Sequence, residues 1–164
     1  MRNPRDSRAG FTLIEILVVI GLIAVLAGVV LVALNPSRQF AQARNTERTA
    51  NVTALLNAIG ARVAENKGTF AGEFTAAGET YECPSIATST MFRIASDGSA
   101  TIDLSCLTPT YIPARLPFDP SATGAHWTDA GDYDTGYTVE VDEFGRYIVA
   151  APSAELEEEI SVTR

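Results

Sequence analysis

Gly10-Phe11-Thr12-Leu13-Ile14-Glu15, running straight into residues 16–34, decides the fold of this chain. Residues 16–34 are built from Ile, Leu, Val, Ala and Gly and carry no charge. As a helix rising about 1.5 Å per residue they reach roughly 28 Å, close to the hydrocarbon thickness of a bilayer. Arg2, Arg5 and Arg8 precede the run. A single carboxylate, Glu15, stands at its edge, four residues after Phe11.

Three arrangements compete for residues 1–34. A cleaved secretory signal has an apolar core of roughly 7–15 residues; this run is longer, and Glu15 stands where such a core begins. A plain transmembrane anchor explains the length but leaves Glu15 a liability, since a central charge costs roughly 2.5–3.5 kcal/mol and less near a helix end. In the third, a peptidase cuts between Gly10 and Phe11, and Phe11 gains a free α-amine one helical turn from Glu15. Amine and carboxylate then neutralise each other, either within one chain, because i and i+4 share a helix face, or between neighbouring chains.

A basic leader, a glycine, Phe-Thr-Leu-Ile-Glu and a long apolar helix resemble the class III signal of the type IV pilin and pseudopilin superfamily, over residues 10–34. Ala9 departs from the pattern slightly, standing where many members carry a basic residue. The resemblance implies cleavage after Gly10 by a prepilin peptidase/methyltransferase and N-methylation of Phe11. It implies that Glu15 pairs with the Phe11 amine between chains and sets the axial register of packed helices. Delivery through an inner-membrane assembly platform and self-association into a helical fibre follow from it too. The expected fold is α+β and pilin-like: a long bent N-terminal helix, half transmembrane and half amphipathic, packed on a small antiparallel sheet.

Orientation does not follow from charge, because Arg38, Arg44 and Arg48 after the span balance the three arginines before it. The resemblance and the cysteines put the N-terminus in the cytoplasm before assembly and the fibre in the periplasm or outside the cell. Within the span, Ala24 and Gly28 form a small-xxx-small pair suited to close helix contact, although glycine is common in membrane helices.

The chain divides into a leader (1–10), a transmembrane or fibre-core helix (11–35), an amphipathic helix (36–67), a sheet domain with variable loops (68–153) and an acidic tail (154–164). Pro36 removes a backbone hydrogen bond and predicts a bend there. Beyond it Phe40, Val52, Leu55, Leu56, Ile59 and Val63 recur at helical steps with polar residues between them, and Asn66-Lys67-Gly68 supplies a stop. Residues 68–90 show no sustained period and read as a variable connection. Residues 91–95 and 101–104 read as a hairpin around Ser96-Asp97-Gly98-Ser99. Pro113, Pro117 and Pro120 exclude regular structure and lead into a polar loop. Residues 137–141 and 146–150 form a final hairpin, and the Glu-rich tail is a short helix or solvated coil.

The formal charge is −8, and about −10 without the leader, which argues against general nucleic-acid binding. Cys83 and Cys106 fit neither a C-x-x-C motif nor a zinc site with the lone His126. If the C-terminal part lies outside the cytoplasm they pair, closing a loop of about 24 residues at a gain of roughly 3 kcal/mol; otherwise they are two buried thiols. Asp129, Asp132 and Asp134, with Asp119 upstream, offer oxygen ligands for Ca²⁺ on a polar loop, against the ordinary alternative of a solvated acidic loop. Apart from that option no cofactor is expected. No nucleophile–base pair or phosphate loop is evident, so the chain reads as a peptidase substrate and not an enzyme. A type IV pilus-like subunit is favoured over a type II secretion pseudopilin. A membrane-anchored extracellular module binding a ligand or calcium is the alternative from another class.

Overall fold

The computed structural model describes residues 10–164, so most of the leader, with Arg2, Arg5 and Arg8, lies outside the described residues. Two compact units result, residues 1–39 and 40–164.

In the first unit, α1 spans Leu13–Leu34. Thr12 is its N-cap, and the Thr12 hydroxyl accepts from the Glu15 amide at 3.3 Å. Over Leu13–Leu31 it is long and apolar enough to cross a membrane. From Leu13 to Leu31 the large side chains all face outward. A helix apolar on every side needs lipid or other helices around it. The helix ends at Asn35, which sits at φ 40 in the left-handed region. The expected bend at Pro36 is therefore a break one residue earlier: the proline ring bars its predecessor from helical geometry, and asparagine tolerates the alternative. Pro36 then occupies the first position of α2, Pro36–Glu65, where its missing N–H costs nothing.

In the second unit α2 presents one stripe, with Val52, Leu55 and Ile59 fully buried. The stripe packs on Ile94, Val139, Val149 and Ile160 of a six-stranded sheet in one core cluster. Each fully buried aliphatic of this kind contributes about 1.5–3 kcal/mol. Asn66 closes the helix by donating to the Thr69 and Ala71 carbonyls, both at 2.9 Å. Arg62 donates to the Gly72 carbonyl at 3.0 Å and lies over the Phe74 ring.

The sheet departs from expectation in four places. Residues 68–90 hold a hairpin, β1 (Gly72–Ala76) with β2 (Glu79–Cys83), turned by Ala77 at φ 52 and Gly78 at φ 87. Positive φ at both central residues is the turn that matches strand twist. β3 (Phe92–Ala95) and β4 (Thr101–Ile102) pair in parallel, correcting the hairpin expected there. The long partner of β3 is instead β6 (Asp132–Val141), antiparallel to it. The polar loop before residue 137 is largely strand: β5 (His126–Asp129) turns back onto the first residues of β6. Finally, β7 (Tyr147–Ala151) pairs with β8 (Ile160–Thr163), so the acidic tail is neither helix nor solvated coil but ends as an edge strand. The order is β4-β3-β6-β7-β8, with β5 also on β6.

Candidate functional site

Two regions carry the polar chemistry. The first is the start of α1. Phe11 is 80% exposed and precedes the Thr12 cap, so it lies just outside the helix. Glu15 stands in the first turn, where a carboxylate favours the positive end of the helix dipole. Among the described residues its carboxylate has no side-chain partner. It is left facing outward at the head of an unpartnered apolar helix.

The second region lies where α2, the proline-rich segment and the C-terminal segment meet. Arg48 is buried completely, and its guanidinium donates to Asp119 Oδ2 at 2.8 Å and Oδ1 at 3.1 Å. It also donates to Asn45 Oδ1 at 2.7 Å, Ser121 Oγ at 2.6 Å and Glu155 Oε2 at 2.9 Å. Arg44 holds Glu155 through two bonds of 2.6 Å. Asn45 donates to the Glu155 carbonyl and accepts from the Glu155 amide. Burial alone would raise the Asp119 carboxyl; bonds from Arg48 and from the Ser121 and Ala122 amides bring it below the ordinary range. The Arg44 and then the Arg48 guanidinium lower Glu155 to about 2. Gly136 makes room for this arrangement, since a Cβ there would come within 3.1 Å of those of Asp119 and Ala122. Chemically this is a closed guanidinium–carboxylate lock with its hydrogen-bonding capacity spent internally.

The aspartates proposed as calcium ligands do not converge. Asp134 accepts from Arg93 at 2.7 Å and from the Gly136 amide at 2.8 Å. Asp129 accepts from the Gly131 amide, and Asp132 pairs with His126 Nε2 at 3.1 Å. Asp119 belongs to the lock. Among the described residues no three His, Cys, Asp or Glu side chains gather as a metal group. The Gly124 carbonyl and then Asp132 raise the His126 imidazole above its ordinary value. Trp127 anchors its strand, its ring 5.0 Å from that of buried Tyr133.

Cys83 and Cys106 form a disulfide, with Cα atoms 5.5 Å apart, tying β2 to the turn at Ser105–Leu107. What the sequence pattern did not reveal is the lock. Arg44, Asn45 and Arg48 pass for polar spacers, and the only signal was that Ala41, Asn45, Arg48 and Val52 share the helical spacing of the buried stripe.

Residues 5–31 match the family model for the prokaryotic N-terminal methylation motif. No curated protein and no solved structure matches the chain.

Proposed function

From the methylation signature that this chain shares with type IV pilins and pseudopilins, we propose that it is a structural subunit of a type IV pilus-like fibre. The match at residues 5–31 carries this proposal, because it falls on the glycine, the phenylalanine and the glutamate that processing and assembly need. The precursor sits in the membrane through α1 with its N-terminus in the cytoplasm. A prepilin peptidase/methyltransferase cuts after Gly10 and methylates Phe11, and an assembly platform in the inner membrane draws the mature chain into the fibre.

Physical reasoning supports the same sequence of events. A helix apolar on all sides is stable in lipid and equally stable among copies of itself. Extraction from the bilayer is then close to an exchange of one apolar surrounding for another. Glu15 breaks that equivalence. In a bundle it meets the Phe11 amine of a neighbour, and the ion pair fixes the step between subunits. In lipid alone it has no such partner. The sheet domain, with its disulfide, faces the outside of the fibre.

Glu15→Ala tests this in the full-length chain. Membrane insertion and cleavage are expected to survive while fibre yield collapses. Normal fibre yield from Glu15→Ala contradicts the role given to the glutamate.

A further inference from the structure

The second unit carries an exposed aromatic tip and an apolar groove that the lock, the core and the disulfide leave unused. The tip is Phe144, in the turn between β6 and β7, with 75% of its surface exposed. Its ring is held in place: Asp142 Oδ1 accepts from the Phe144 amide at 2.9 Å and from the Arg146 amide at 2.8 Å. The Arg146 guanidinium lies 5.3 Å from the ring centroid. The groove, of about 560 Å³, runs between Asn51 and Ala54 of α2 and Ile112, Pro117 and Phe118 of the proline-rich segment. Prolines stiffen that wall, so the groove needs little ordering to accept a ring.

Tip and groove lie on opposite flanks of α2. The turn after Phe144 lines a separate recess with Leu56 and Gly60, through Gly145 and Tyr147. At 3.6 residues per turn, the midpoint of Leu56 and Gly60 is about 170° around the helix from that of Asn51 and Ala54. A single copy therefore does not fill its own groove. A contact of unlike patches on opposite sides repeats from copy to copy, and it builds an open filament wherever its rotation does not close a ring. Charge favours the same occupant. Arg115, exposed on the groove's rim, and Glu143, exposed beside Phe144, have no ion-pair partner among the described residues. Glu47, on the α2 side of the groove, repels Glu143 and so orients the tip with Glu143 toward Arg115.

We propose that Phe144 of one copy seats in the Asn51–Ala54–Phe118 groove of the next, with Glu143 against Arg115, as a head-to-tail contact between globular units. This contact rests on the fibre-subunit function proposed above. It supplies an aromatic anchor in a pocket with a charged pair at its edge.

Cysteine cross-linking in the assembling, full-length protein tests it. A chain carrying both Arg115→Cys and Glu143→Cys, with Phe144 kept as the anchor, is expected to give an oxidant-dependent ladder of covalent multimers, and each single variant none. The native disulfide is buried and does not compete. Arg115→Glu and Glu143→Arg are each expected to lower sedimentable fibre about tenfold, and the two together to restore it. Both reversals lie on exposed residues, so folding is preserved. Fibres with processed Phe11 that give no ladder and ignore the reversals overturn this contact while leaving the proposed function standing. Absence of both processing and fibres in the unmodified chain overturns the two together.

Discussion

Arg48 and Asp119, 71 positions apart in the chain, are both removed from solvent and meet through two hydrogen bonds of 2.8 and 3.1 Å. The pair bolts α2 to the proline-rich segment, and Glu155 on the same guanidinium brings in the C-terminal segment. Three stretches without mutual sequence signals are thereby fixed at one point.

Removing one partner leaves the other charge buried and unpaired. Arg48→Met is expected to destabilise the folded protein by about 3–5 kcal/mol, whereas Arg48→Met with Asp119→Leu loses much less. Urea unfolding of the detergent-solubilised chain, followed by near-ultraviolet circular dichroism, gives the comparison. Equal losses in the single and double variants contradict a desolvated pair.

The lock also sets an acid limit. The carboxyls of Asp119 and Glu155 lie below their ordinary range in the folded state, Glu155 at about 2. The unfolded chain therefore binds protons first as pH falls, and stability rises with pH across this window. The contribution of Glu155 is fully present above its ordinary value near 4.5 and lost as pH falls toward 2. Melting temperature is expected to be flat near neutrality and to decline below about pH 4.5, with a shallower decline in Glu155→Gln. Superimposable profiles for the two proteins sink this assignment.

The Cys83–Cys106 bridge spans 23 positions and ties β2 to the turn before the proline-rich segment. Cys83→Ser with Cys106→Ser is expected to cost roughly 3 kcal/mol on the chain-entropy estimate. Denaturant midpoints measured with and without reductant show whether the unmodified protein loses the same amount. An unchanged midpoint means the bridge constrains little.

The helical parts were legible in the sequence because their signals are local: an apolar run, a proline and a stripe at steps of three and four. The sheet was legible only in part. β8 was hidden by the glutamates before it, although Ile160-Ser161-Val162-Thr163 alternates as a strand should. The β1–β2 turn places Ala77 at positive φ, which no residue type there announces. The parallel pairing of β3 and β4 spans only two residue pairs across a short connection, so nearness in sequence pointed to the commoner hairpin. The partners of the aspartates expected as calcium ligands were hidden for a different reason. Asp119, Asp132 and Asp134 bond Arg48, His126 and Arg93, partners between six and 71 positions away. Proximity along the chain cannot reveal partners chosen by the fold.

The central claim concerns Gly10, Phe11 and Glu15, and the mass of the mature N-terminus tests it most directly. Mass spectrometry of the chain recovered from its native membranes or fibres is expected to find it beginning at an N-methylated Phe11. A chain that still begins at Met1, or one cut at any bond other than that after Gly10, contradicts it.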